Sequence, residues 1–236
     1  MFIDQFASQN GNKITIGSEQ ASSFAKTISN DFNPIHDPTS KRFCVPGDLL
    51  FAFFVEYYGL FNAMDFVFTG LVSADTTLVF PSNLGEHGHI VDDYGKEYLK
   101  VAARGSQVAA DGGAEALVRA YVRFSGQNFP HILVPLMAEK NVMINPKRPL
   151  IIYQSMSITL DRLDLDSPLL VLMKKELEVK GKRGDAHLHF DIHDNGRQVG
   201  HGVKHLILSG LRPYDELTVD AMVEQYLCWQ NEHSLV

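Results

Sequence analysis

Asp31, Asn33 and His36 stand in the segment Asp31-Phe32-Asn33-Pro34-Ile35-His36. A carboxylate and an imidazole flank a turn stiffened by proline, so both side chains can point at one water molecule. That pairing suits general acid/base work, because imidazole titrates near neutral pH and a nearby carboxylate can fix its tautomer. A second segment rich in reactive groups runs from His187 to His193. Strand alternation there puts His187, His189, Asp191 and His193 on one face and Leu188, Phe190 and Ile192 on the other. Metal binding is conceivable for such a set. With a two-residue Asn195-Gly196 turn, however, Asp194 pairs with Arg197, and His187, His189 and Asp191 then face Lys204, Gly202 and Gly200. His201 and His205 fall with the apolar face, so the histidines do not converge and no metal site is predicted. His87-Gly88-His89, close to Glu86, Asp92 and Asp93, reads as a surface loop.

The elements that must position Asp31 and His36 follow from patterning. Ala21, Phe24, Ala25 and Ile28 recur at helical spacing, which predicts a helix over Ser18 to Ser29 with Ser18 as its cap. It stops at Asn30, since Pro34 disfavours helical backbone at Asn33 and asparagine tolerates a left-handed end. A hook-shaped loop, Asp31 to Pro38, comes next. A second helix starts at Pro46-Gly47-Asp48 and runs to Tyr58. It is apolar around nearly its whole circumference through Leu49, Leu50, Phe51, Phe53, Phe54 and Val55, and so needs walls on all sides. The aromatic cluster at Phe51, Phe53, Phe54, Tyr57 and Tyr58 is core by default, with one face able to line an acyl tunnel.

Strands are predicted at Gly70 to Pro81, Glu97 to Val108 and Ala114 to Ser125, the last two joined at Asp111-Gly112-Gly113. In that pattern Arg104, Arg119 and Arg123 are strand residues facing solvent. A sheet curled around the buried helix is the simplest arrangement. Pro130, Pro135, Pro146 and Pro149 mark a boundary, dividing the chain into 1–128 and 129–236. The second part gives strands at Ile151 to Leu160, Pro168 to Lys180, Asp185 to His193 and Gln198 to Leu208, in an order like the first. Its central helix would be a shortened one within Phe129 to Asn141. A last helix, Thr218 to Trp229, carries Val219, Met222, Val223, Tyr226 and Leu227 on one stripe.

The chain has 236 residues, 45% apolar and 21% charged, and its 21 basic against 28 acidic groups give a formal charge of −7. That composition supports a globular core. The acidic balance attracts neither nucleic acid nor anionic lipid. Two isolated cysteines, Cys44 and Cys228, indicate a reducing compartment rather than a disulfide framework. The amino terminus has no secretory pattern, and the apolar run Leu49 to Phe61 is too short to span a bilayer and contains Glu56. A cytoplasmic location is expected.

Asp-x-Asn-Pro-Ile-His followed by an apolar helix opening at a glycine resembles the signature of MaoC-type (R)-specific enoyl-CoA hydratases of the hot dog superfamily, and the chain is also similar to an uncharacterised bacterial branch of it. The resemblance implies an α+β double hot dog, each half an antiparallel sheet curled on a central helix. It implies that Asp31 and His36 add water to a trans-2-enoyl thioester, that Asn33 shapes the loop and orients substrate, and that the Gly47 N–H binds the thioester oxygen. The expected partner is an acyl-CoA or acyl-carrier thioester, with no cofactor, and because two fused halves already mimic the common dimer, either a monomer or a homodimer of double units fits. Three features depart from the pattern. Asn30 replaces a glycine, about five residues are missing between His36 and the helix, and Pro46-Gly47-Asp48 stands where His-Gly is usual. Asp48 places a negative charge near the expected oxyanion unless it turns away.

Three functions stay open on the sequence. Hydration is one; a thioesterase using a carboxylate and water is a second; a non-catalytic acyl-thioester binding protein is the third. In the last, Asp31 and Asn33 merely bond the loop backbone and His36 is a satisfied structural side chain.

Overall fold

The computed structural model describes residues 2–234. Among them, one long antiparallel sheet carries helices packed on its inner face. After a short amino-terminal hairpin, β1 (Ser8–Asn10) and β2 (Lys13–Thr15), comes α1 (Ser18–Phe24), which continues as a wider turn through Ser29. Gly17, not Ser18, is its cap, and the Gln20 side chain accepts from the Gly17 amide at 3.0 Å. Asn30 ends the segment in left-handed backbone, φ 55°, as predicted.

The apolar helix is present as α2 (Gly47–Tyr58), and Asp48 through Val55 are all buried. Its aromatic rings pack edge-on against β3 (Leu60–Phe68): Phe51 and Phe54 meet Phe66 at centroid distances of 5.4 and 5.0 Å. The sequence reading had no strand at Leu60–Phe68, because its apolar residues run on from those of the helix. The strand expected at Gly70 to Pro81 shrinks to β4 (Thr77–Val79). β5 (His87–Asp92) includes the His87-Gly88-His89 segment taken for a loop, and β6 (Glu97–Val108) has the predicted bounds.

Ala114 to Ser125 is helix, not strand: α3 (Gly112–Gly126) begins where Asp111 Oδ1 accepts from the Ala114 amide at 2.9 Å. Its buried positions, Ala114, Leu117, Val118, Tyr121, Val122 and Ser125, follow the helical repeat, which overrides the β-propensity of Val118, Tyr121 and Val122. Arg119 and Arg123 are therefore helix residues. Two short helices, α4 (Asn128–His131) and α5 (Leu133–Glu139), and a two-residue strand, β7 (Val142–Met143), precede the second set of strands.

That set comprises β8 (Ile151–Leu160), β9 (Pro168–Lys180), β10 (Arg183–Asp194) and β11 (Arg197–Ser209). The sheet order is β1-β2-β4-β5-β6-β3-β8-β11-β10-β9. Outward from the antiparallel β3 and β8 pair, the neighbours are β6, β5, β4 on one side and β11, β10, β9 on the other. The two sets repeat one order about that pair. α2 covers the first set. α3 covers one end of the second, with Tyr121 and Phe124 against Phe190, while α5 covers the other end through Leu133, Leu136 and Met137. After β12 (Arg212–Pro213), which pairs with β7, comes α6 (Glu216–Ser234). Among the described residues no helix is long and apolar enough to cross a membrane.

The β10 and β11 register corrects the sequence reading. A bulge after Ile192 leaves Val199 unpaired, so His187 stands opposite His205, and Asp191 opposite His201. The His187 and His205 rings stack at 4.3 Å, and His205 bonds Asp185 at 2.9 Å. Among the described residues no three His, Cys, Asp or Glu side chains group to hold a metal ion.

Candidate functional site

The hook loop folds on its own side chains. Asp31 Oδ1 accepts from the Asn33 amide at 2.9 Å, and Asn33 Oδ1 accepts from the Ile35 amide at 3.2 Å. Pro34 opens a single 3-10 turn, Pro34–His36, that brings the imidazole back toward the carboxylate. His36 Nδ1 meets the Cys44 carbonyl at 2.7 Å. A carbonyl only accepts, so Nδ1 carries the proton and a neutral His36 presents its lone pair at Nε2. That atom lies 3.8 Å from Asp31 Oδ2, with the two side chains 13% and 26% exposed. Too far apart for a direct bond, they can share one water: an oxygen about 2.8 Å from each subtends an angle of about 85° between them. Asp31, Asn33 and His36 thus do the loop-shaping that a scaffold requires, yet Oδ2 and Nε2 remain turned toward each other.

Neighbouring helices brace the hook. Tyr226 of α6 accepts from the Phe32 amide at 3.1 Å, and its hydroxyl oxygen, as donor, lies 3.4 Å from Asp31 Oδ1 and from the Gly126 carbonyl oxygen. Burial pushes the Tyr226 phenol up, keeping it a donor. Gly126 ends α3 against the hook: a Cβ there would fall 1.7 Å from the Ser29 carbonyl oxygen, so only glycine permits the contact.

The start of α2 forms the adjoining wall. The Gly47 amide belongs to the first turn, where N–H groups have no intrahelical acceptor. A Cβ at Gly47 would approach Tyr153 at 2.9 Å and Phe68 at 3.0 Å. Asp48 does not cap the helix. Its Oδ2 accepts from Ser125 Oγ, which in turn accepts from Lys204 Nζ, and that ammonium lies 3.7 Å from Asp48 Oδ1. The Lys204 cation sits 4.0 Å from the Tyr153 ring centroid, and the Tyr153 and Tyr121 hydroxyls bond each other. Burial pushes Asp48 up and Lys204 down, each toward its uncharged form, and their attraction opposes both shifts. The unfavourable charge noted at Asp48 is thus met by a lysine, and Asp31 and His36 act on Asp48 electrostatically.

These groups share a cavity of ≈ 860 Å³. Asp31, His36, Asp48, Ser125, Lys204 and Tyr153 line its polar part; Leu133, Ile144, Ile151, Leu206 and Met222 line an apolar part. The sequence reading had named Asp31, Asn33, His36 and Gly47, and all four line this one cavity. It missed Ser125 and Lys204, which reach the site from α3 and β11.

Residues 1–217 match a family described as "Protein of unknown function (DUF3581)". The chain belongs to the DUF3581 family. No curated protein matches the sequence of this DUF3581 member. Among solved structures it is similar to the TesB protein of Mycobacterium avium subs. paratuberculosis, at 7% identity over 87% of this chain and 96% of that one, TM-score 0.47. An acyl-CoA thioesterase II, TesB2, from Mycobacterium marinum shares 11% identity over 92% and 99% of the two chains, TM-score 0.42. A MaoC-like dehydratase from Phytophthora capsici shares 10% over 86% and 97%, TM-score 0.40.

Proposed function

We propose that this DUF3581 protein hydrates, or in reverse dehydrates, an acyl thioester, on a double hot dog scaffold of two units, 1–128 and 129–236. The observation that carries the reading is the 3.8 Å separation of His36 Nε2 and Asp31 Oδ2 on the wall of a cavity with a large apolar part. In this reading the trans-2-enoyl chain lies along Leu133, Ile151 and Leu206, which places its reactive end at the hook. His36, already carrying its proton on Nδ1, takes a proton from the shared water at Nε2 as oxygen adds to carbon 3. Asp31 Oδ2 holds the same water and steadies the imidazolium that forms, which then passes that proton to carbon 2, so that the double bond is consumed and His36 ends neutral. The Gly47 amide, aided by the first turn of α2, meets the charge developing on the thioester oxygen. Asn33 keeps the hook in shape through Ile35. Coenzyme A or a carrier protein presents the acyl group.

The test is the enoyl absorbance of crotonyl-CoA at high protein concentration. The wild type should bleach it, and Asp31→Asn or His36→Ala should lower turnover by about two to four orders of magnitude with melting little changed. An unchanged absorbance overturns the reading for short chains; if acyl-CoA still raises the melting temperature, the non-catalytic binding protein takes its place.

A further inference from the structure

The cavity holds a second set of reactive groups that hydration does not use. Ser125 Oγ, on the last turn of α3, accepts from Lys204 Nζ and donates to Asp48 Oδ2. All three residues are buried, with 6%, 3% and 7% of their surfaces exposed, and all three line the cavity. Asp48 Oδ1 is buried and makes no hydrogen bond, with the Lys204 ammonium 3.7 Å away. A hydroxyl held between a carboxylate and an amine has two parts of an activated nucleophile, a base and an acid.

We propose that Ser125 is an acyl acceptor, and that the protein hydrolyses saturated acyl thioesters through an acyl-serine formed there, with Asp48 and Lys204 moving the protons. The inference rests on the acyl-thioester part of the reading above and is independent of hydration. In the first half, Ser125 Oγ bonds to the thioester carbon and the carbon–sulfur bond breaks. The hydroxyl proton goes to Asp48, and the departing thiolate takes a proton from the Lys204 ammonium. In the second half, water attacks the ester carbon and gives its proton to the now neutral Lys204. Asp48 returns its proton to Ser125 Oγ as the ester bond breaks. The net change is thioester plus water to carboxylic acid plus thiol, and each group ends as it began.

The environment favours this sequence. Burial pushes Asp48 up and Lys204 down, so a low-dielectric wall prefers both groups uncharged. Acyl transfer converts the ion pair into that neutral pair, and deacylation restores it. Lys204 is held against the Tyr153 ring and Ser125 is fixed on the last turn of α3, so neither needs to move far.

Butyryl-CoA and decanoyl-CoA test the proposal, because neither has a double bond to hydrate. The wild-type chain should release free thiol, read with a thiol reagent. Acid-quenched protein should carry one acyl group, mapped to Ser125 by peptide mass. Ser125→Ala should lose about a thousandfold in thiol release, and Ser125→Cys, which keeps a nucleophile in place, should still take up the acyl group. Absence of thiol release from both thioesters by folded wild type, release undiminished in Ser125→Ala, or an acyl group mapped to another residue each overturns the proposal. Crotonyl-CoA absorbance is read separately, so failure here and failure of the hydratase reading are told apart.

Discussion

The Nδ1 atom of His36 is bonded to the Cys44 carbonyl at 2.7 Å while its Nε2 stands 3.8 Å from Asp31 Oδ2. One ring nitrogen is therefore committed to the backbone, and the other is left for chemistry beside a carboxylate. What maintains that division is the hook, which is short, internally bonded and wedged between α3 and α6.

Asn33 tests the hook directly. Asn33→Ala removes the acceptor of the Ile35 amide and should cost about 1 kcal/mol of stability. In a hydration assay it should lower kcat more than it raises KM, since the cavity walls that bind the chain are untouched. A change confined to KM would show that Asn33 contacts substrate instead of shaping the loop.

Plugging the apolar part of the cavity should separate chain binding from chemistry. Leu206→Trp, on the cavity wall and made together with Ser125→Ala so that neither thioester is consumed, is expected to abolish the rise in melting temperature given by decanoyl-CoA while leaving that given by butyryl-CoA. Equal loss for both chain lengths would place the acyl chain elsewhere.

The Asp48 and Lys204 pair should behave as one unit. Lys204→Met strands a buried carboxylate beside Ser125 and should cost about 3–5 kcal/mol in denaturant unfolding. Adding Asp48→Leu should recover most of that loss, because no charge is then left inside. Additive losses in the double variant would contradict the pairing.

Acid stability reports on the outer face of β10. The bonds from Arg183 hold the Asp185 carboxyl down at about 2, with His205 adding to the effect. The folded value lies below the unfolded one, so the stabilisation is complete above the ordinary carboxylate range and is lost as pH falls through about 2. Asp185→Asn should be less stable than wild type by about 1 kcal/mol at pH 6, since water screens the Arg183 partner, and the gap should close between about pH 4 and pH 2. A gap that is constant over that range would show that Asp185 contributes through shape alone.

Much of the second half was legible from sequence: β8 and β9 have the predicted bounds, and Asp194 pairs with Arg197 across the turn. Period-2 alternation between clear turns leaves little choice there. α3 was not legible as helix, because Val118, Tyr121 and Val122 favour strand locally, and only burial against Phe51 and Phe190 fixes the longer period. The histidine register escaped because a single unpaired residue, Val199, slips every pair beyond it, and no local pattern announces a bulge. The hook was readable because its residues lie together in the chain. Ser125 and Lys204 meet Asp48 only after folding brings α3 and β11 to the start of α2; the contacts span 77 residues from Asp48 to Ser125 and 79 from Ser125 to Lys204. One signal did exist: Lys204 falls in step with the buried Gly202, Leu206 and Leu208 on β11, an ammonium on an apolar face.

The most direct measurement is incubation of crotonyl-CoA with the wild-type protein in water enriched in heavy oxygen, with the product read by mass spectrometry. The account predicts label in a hydroxyl at carbon 3 of the acyl group, and its loss in Asp31→Asn. Label confined to a free carboxylate, or none at all, would contradict it.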